Sequence, residues 1–269
     1  MKRVRQQDAI SSRLLQRVAM IALLAVWLAP SSLASTVPLS DIAPELVATP
    51  MTGGPNNEFG WWSRYDIGFT AATSTFNIEL RIKLYGADPG DALKTLWEQG
   101  IEDIWSGAYQ IVQEDEFLYD VAFDVVFVDD IFQSHHLVNV IEGSGPMNMN
   151  NWYTENPSGW PQDKQDEAAA HEAGHMFGSF DEYAGGAVNP DGSYPDTPDS
   201  LMGSQLTRTL YPRNYQFVAD WASGKAPGST FAVESSLPPP LPPVPLPPAF
   251  WLFGAALGWL GWMGRRTRQ

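Results

Sequence analysis

The chain has 269 residues, with 16 Lys and Arg against 31 Asp and Glu, a formal net charge of −15 and no cysteine. This acidity argues against nucleic acid as a partner, because the phosphate backbone attracts basic surfaces. The absence of cysteine excludes disulfides, thiolate metal ligands and a cysteine nucleophile.

The N-terminal residues 1–34 differ in composition from the rest of the chain. They combine a basic start, an apolar run over 18–28 and small residues at 32–34. This pattern predicts a secretory signal peptide, because the apolar run is too short for a membrane span. Residues 35–236 are then predicted to form one domain.

The predicted elements of this domain begin with a strand over 75–85, where apolar and polar residues alternate, and an amphipathic helix over 91–109. Two more strands follow over 117–128 and 137–142. The segment 145–155 is polar and is predicted to be either irregular or an edge strand. His135 and His136, before the third strand, have no partner at ligand spacing and are predicted to be structural.

A second helix is predicted over 163–177, because acidic residues occupy its first turns and Gly178 follows its end. A loop rich in Gly, Pro and Asp covers 185–200, and a last helix is predicted over 205–222. The fold class is therefore α/β (α+β), with a small C-terminal helical subdomain after His175.

The stretch "HEAGHMFGSFDEY" lies at the end of the second predicted helix. On a helix, His171 and His175 share one face and can both direct a nitrogen at one Zn²⁺. Glu172 lies beside that position, where a carboxylate can act as a general base on a zinc-bound water. Two histidines alone do not decide the class of site, which depends on the third ligand, but without cysteine to complete a structural zinc shell the pattern favours a catalytic zinc site.

The residues "HEAGHMFGSFD" and the later "DSLMGS" at 199–204 resemble the HExxHxxGxxH motif and Met-turn of the metzincins, with aspartate in the last position. The resemblance implies a metzincin-like zincin domain with a twisted mixed sheet, an active-site helix and Met202 as an apolar floor under the metal. It also implies Asp181 as the third ligand, with Glu182 as the alternative.

The ending "DEY" is also similar to an exported bacterial peptidase group typified by IgA-cleaving enzymes. Tyr183 could then support the oxyanion formed during hydrolysis, or it could pack against the helix end. The loop residues Asp191, Asp196 and Asp199 offer a second site to a hard cation, so Ca²⁺ is a further candidate beside Zn²⁺.

The C-terminal residues show a different pattern. Residues 237–248 are rich in proline, which predicts a stiff linker. Residues 249–269 are a short apolar stretch with a basic end, which predicts a hydrophobic helix that contacts a membrane.

This tail, "VPLPPAFWLFGAALGWLGWMGRRTR", closely resembles the VPLPA variant of the PEP-CTERM sorting signal, with Pro248 in place of the family's alanine. The resemblance implies that an exosortase processes the tail and that the tail is a transmembrane helix before this cleavage. It also implies a final location in the periplasm, outer surface or extracellular matrix of a Gram-negative bacterium. A plain C-terminal membrane anchor is the alternative.

These observations together predict a secreted zinc metalloprotease, a hydrolase of peptide bonds with a protein or peptide as substrate. Two alternatives remain open. One is a non-catalytic surface or biofilm-matrix protein with a structural zinc site, and the other is a zinc hydrolase of a non-peptide substrate.

Overall fold

Eight strands form one curled mixed sheet in the computed structural model, which describes residues 37–157 and 164–236. The predicted signal peptide, proline-rich linker and C-terminal helix lie outside these residues. The strands in chain order are β1 (Ile42–Gly53), β2 (Phe59–Thr70), β3 (Thr75–Gly86), β4 (Tyr109–Gln113), β5 (Phe117–Phe127), β6 (His136–Ser144), β7 (Asn151–Glu155) and β8 (Phe231–Ser235).

The sheet combines antiparallel and parallel pairs. Its main order is β1-β2-β3-β5-β4-β8, and β6 joins β3 and β7. The first half of β3 pairs in parallel with β5, and its last residues pair in parallel with β6. The hairpin β1–β2 is antiparallel and extends beyond the sheet, because only Asp66 to Thr70 of β2 pair with β3.

Three α-helices complete the described fold: α1 (Gly90–Trp105), α2 (Gln165–Phe177) and α3 (Gln216–Lys225), the last preceded by a 3-10 turn (Pro212–Tyr215). The mixed α/β class predicted from the sequence is confirmed. In the described part of the chain, no helix is long and apolar enough to span a membrane.

Several predicted elements are confirmed. The strands predicted over 75–85, 117–128 and 137–142 correspond to β3, β5 and β6, the predicted edge strand contains β7, and the helix predicted over 163–177 corresponds to α2. Strand alternation identified β3, because its buried residues recur at every second position.

Two predicted helix boundaries are wrong. The helix predicted over 91–109 ends at Trp105, because Gly107 has a φ of 68° and Tyr109 already belongs to β4. The helix predicted over 205–222 begins only at Gln216. Leu206 has a φ of 46°, and Pro212 lacks the N–H that a continuing helix needs.

Helix α2 is placed deep in the fold by α1 and β2, and eleven of its thirteen residues are buried. Gly100 permits the close crossing of α1, since a Cβ there would lie 2.4 Å from Cβ of Asp166. The indole of Trp105 fixes the crossing further by donating to the carbonyl of Ala170 at 3.0 Å. The helix that bears the two histidines is therefore held firmly by the core.

Candidate metal centre and cleft

Helix α2 brings His171 and His175 to one face, where their ring centroids lie 5.1 Å apart. The helix ends at Gly178, whose φ of 101° reverses the chain, and the N–H of Ser179 bonds the carbonyl of Gly174. The reversal returns Asp181 to the histidines. Its Oδ1 lies 3.2 Å from Nε2 of His171 and 3.5 Å from Nε2 of His175.

The hydrogen bonds of the two imidazoles determine which nitrogen faces the site. Nδ1 of His171 lies 2.7 Å from the carbonyl of Leu201, and Nδ1 of His175 lies 2.9 Å from that of Ser179. A carbonyl oxygen only accepts, so each Nδ1 carries a proton and donates it. In the neutral imidazoles, both Nε2 lone pairs then point toward Asp181.

Asp181 completes a set of three acceptors whose ligand atoms lie within 4.8 Å of one another. Its Oδ2 accepts from the N–H of Ala187 at 2.6 Å, whereas its buried Oδ1 has no hydrogen-bond partner among the described residues. When both imidazoles are neutral, three buried acceptors converge without a donor and repel one another, and a bound cation or a proton relieves that repulsion. The residues present therefore fit a metal ion.

The charges of the site interact strongly. Burial lowers the pKa of His171, but its contact with Asp181 and the charge of Glu172 outweigh burial and raise that pKa to about 9. Burial raises the pKa of Asp181, but the two histidines outweigh burial and hold it far below its usual range. Without a metal, the site thus favours a positive charge beside Asp181.

Glu172 lies at the edge of the metal group, with Oε1 4.0 Å from Nε2 of His171. It is 7 % exposed, and burial raises the pKa of its carboxyl group. Tyr183 lies on the same cleft, and burial, together with the charges of Asp181 and Glu172, raises the pKa of its hydroxyl. Both predicted residues are therefore beside the metal group.

Glu182, the alternative third ligand, lies apart from the metal group. Its carboxylate accepts from Nε of Arg213 at 2.7 Å, from Nδ2 of Asn214 at 3.3 Å and from the hydroxyl of Thr197. Burial raises the pKa of Glu182, but Arg213 and Thr197 outweigh burial and lower it. The geometry thus favours Asp181 as the third ligand.

Met202 is fully buried in the turn over 199–204. A Cβ on Gly174 would lie 2.4 Å from its Sδ, so the thioether packs against the helix turn between the two histidines. The same turn supplies the Leu201 carbonyl to His171, and the Met202 carbonyl accepts from the N–H of Glu182 at 2.9 Å. The turn therefore supports both a candidate ligand and the loop that carries Asp181.

The other candidate cation site does not assemble. Among the described residues, Asp191, Asp196 and Asp199 form no common ligand group. The carboxylate of Asp191 instead accepts from the N–H and hydroxyl of Ser193. His136 is also outside the metal group, with Nε2 3.0 Å from the carbonyl of Arg64.

Two cavities meet at the metal group. One, of about 360 Å³, is lined by residues 147–150, by residues 185–187 and by Trp61. The other, of about 240 Å³, is lined mainly by small and apolar residues, including Ala168 and Leu206. Both contain His171, Glu172 and Tyr183, so the cleft continues past the site on both sides.

Sequence reasoning missed two contacts that matter here, that of Trp61 with His175 and that of Arg213 with Glu182. Trp61 comes from β2, which the sequence pattern did not predict, and it donates to the carbonyl of His175. Arg213 follows Glu182 by 31 residues. The sequence carried no local signal for either contact, because both join segments that are distant along the chain.

In comparisons with known proteins, no family model, no curated protein and no solved structure matches the chain.

Proposed function

We propose that the protein is an exported zinc-dependent peptidase of metzincin type. The observation that carries the proposal is the convergence of His171 Nε2, His175 Nε2 and the orphaned Asp181 Oδ1, with Glu172 beside them in an open cleft. Export and sorting rest on the sequence patterns of residues 1–34 and 237–269 alone.

Zinc is the metal that suits these donors best. Two imidazoles and one carboxylate, without thiolates, are typical of catalytic zinc sites, which keep a position open for water or substrate. When bound, zinc would polarise the scissile carbonyl and lower the pKa of a water molecule toward about 7. His171, His175 and Asp181 would hold it.

Glu172 is the general base in this proposal. Its carboxylate lies beside the metal group without accepting a hydrogen bond from a neighbouring described residue, so it is free to take a proton from the attacking water. The raised pKa of the buried carboxyl favours retention of that proton until the amine of the leaving product accepts it. In this proposal, Tyr183 donates a hydrogen bond to the developing oxyanion.

The cleft supports a peptide as the substrate. Residues 147–150 follow β6 and line the larger cavity together with residues 185–187. The backbone N–H groups of Met147 and Met149 have no partner among the described residues. An extended chain can pair with such groups, and the cavities on both sides of Glu172 leave room for its side chains.

The direct test compares the wild type with Glu172→Gln, which keeps the shape of the side chain but removes the base. Both proteins should bind about one zinc, and only the wild type should cleave a mixed peptide library, with the variant at least about 100-fold slower. Glu167→Gln, on the same helix but paired with Lys164, is the matched control and should cleave like the wild type.

Equal cleavage by Glu172→Gln and the wild type would refute the role of Glu172. If both bind zinc and neither cleaves a peptide, the alternatives of a structural zinc site or a non-peptide substrate would replace the proposal.

A further inference from the structure

The β1–β2 hairpin contacts the metal-binding helix along one edge. Beyond its pairing with β3, β2 continues through residues that pair only with β1. Three of these residues at every second position, Trp61, Ser63 and Tyr65, face α2, as the period of a strand requires. Tyr65 packs edge-on against Phe177, with ring centroids 6.0 Å apart.

The other two residues bond the last helix turn. The final carbonyls of a helix have no N–H partner four residues on within the helix, so they are open to other donors. The carbonyl of His175 accepts from the N–H of Gly178 at 3.0 Å and has room for a second donor. The indole N–H of Trp61 donates to the carbonyl of His175 at 2.8 Å, and the hydroxyl of Ser63 donates to that of Met176 at 3.0 Å. The strand thus fixes the backbone of one candidate ligand.

Trp61 differs from Ser63 because it also contacts the ligand side chain. Its ring meets the imidazole of His175 edge-on at 5.7 Å between centroids, and it meets Phe180 in the same way at 5.5 Å. Ser179, next to Phe180, accepts the Nδ1 proton of His175. Trp61 therefore restrains both the backbone and the ring of His175.

We propose that Trp61 is a positioning residue for the metal centre, which raises zinc affinity by holding His175 in its ligating orientation. This inference rests on the metal site of the proposed function, but it does not depend on catalysis. Groups that orient ligands without binding the metal typically change metal affinity or activity by about 10–100-fold. Nothing in the motif around His171 indicates such a role for a tryptophan 110 residues earlier in the chain.

The test measures the zinc dissociation constant by competition with a chromophoric chelator. Trp61→Phe keeps an aromatic ring but loses the N–H, and it should weaken zinc binding about 10-fold; Trp61→Ala should weaken it about 100-fold. The visible spectrum of the cobalt-substituted protein should shift in both variants, because the ligand geometry changes.

Two matched controls separate positioning from general stability. Trp62→Phe changes the neighbouring side chain, which is 47 % exposed, and should leave zinc affinity unchanged. Ser63→Ala removes a bond to the same helix end without touching His175. It should lower the thermal stability of the metal-free protein while zinc affinity stays within twofold of the wild type.

Zinc affinities of both Trp61 variants within twofold of the wild type would overturn the inference and leave the proposed function intact. An equal loss of affinity in Ser63→Ala would also overturn it, because the effect would then be structural. A wild type that binds no zinc would overturn this inference and the proposed metal site together.

Discussion

Asp181 and Glu182 are adjacent acidic residues with opposite surroundings. Asp181 faces the two histidines, whereas Glu182 pairs with Arg213. The two side chains reach different partners, so only Asp181 belongs to the metal group. The helix spacing predicted the positions of His171, Glu172 and His175, but the choice between Asp181 and Glu182 needed the partner Arg213, which the local sequence does not indicate.

The two acidic residues should respond differently to neutral substitution. Asp181→Asn removes the charge of the proposed third ligand and should weaken zinc binding by more than about 100-fold, which exceeds the usual effect of an indirect contact. Glu182→Gln should leave zinc affinity within a few fold but lower the free energy of unfolding by about 1–3 kcal/mol, because it weakens charged hydrogen bonds. Zinc titration and urea unfolding of both variants test this. The reverse pattern would identify Glu182 as the ligand.

At the scale of elements, the sequence predicted β3 and β5 because their buried residues recur at every second position, and it predicted α2 from the acidic residues of its first turn and the glycine after its end. It did not predict β1 and β2, whose hairpin forms one wall of the cleft. β1 contains Pro44 and Pro50 and is exposed along most of its length, so it lacks the alternation of a half-buried strand. The start of the helix predicted over 205–222 was wrong because Leu206 and Leu210 are buried within irregular backbone.

The end of α2 depends on glycine. Gly178→Ala should lower the free energy of unfolding by about 1–2 kcal/mol, because residues with a side chain are strained at its φ of 101°. Gly224→Ala, within α3, is the control. No neighbouring atom lies within 4 Å of its added Cβ, so it should stabilise the protein by up to about 1 kcal/mol. Equal stabilities of the two variants would show that the reversal at Gly178 is unstrained.

His136, the first residue of β6, should make stability depend on pH. Burial lowers its pKa to about 4, whereas an unfolded histidine titrates near 6.5. The unfolded state therefore binds the proton first as pH falls, and stability is lost between about pH 6.5 and 4, by roughly 3 kcal/mol. His136→Gln keeps a donor for the Arg64 carbonyl and should lose about 3 kcal/mol less over that range. The measurement is the free energy of unfolding of both proteins between about pH 7 and pH 4. An equal loss of this free energy in the wild type and in His136→Gln would contradict the prediction.

At the scale of the whole molecule, the metal group joins parts of the chain that are far apart. The β1–β2 hairpin, helix α2 and the turn over 199–204 all contact it or its supporting carbonyls. A ligand that binds only the folded state stabilises it by mass action. The metal should therefore contribute to global stability as well as to the site.

Removal of zinc should lower the melting temperature. Zinc at about 1,000 times its dissociation constant adds about 4 kcal/mol, which corresponds to roughly 10 °C for a domain of this size. Calorimetry with and without a chelator measures the shift, and Asp181→Asn should show little of it. If neither zinc nor the chelator changes the melting temperature of the wild type, this prediction is wrong.

The most direct measurement of the central claim is zinc content combined with X-ray absorption at the zinc edge of the wild-type protein. The account predicts one zinc per chain, bound by two imidazole nitrogens and by oxygen ligands that include Asp181, with the oxygen shell altered in Asp181→Asn. Less than about 0.1 zinc per chain after zinc exposure, or a zinc shell without two imidazoles, would contradict the account.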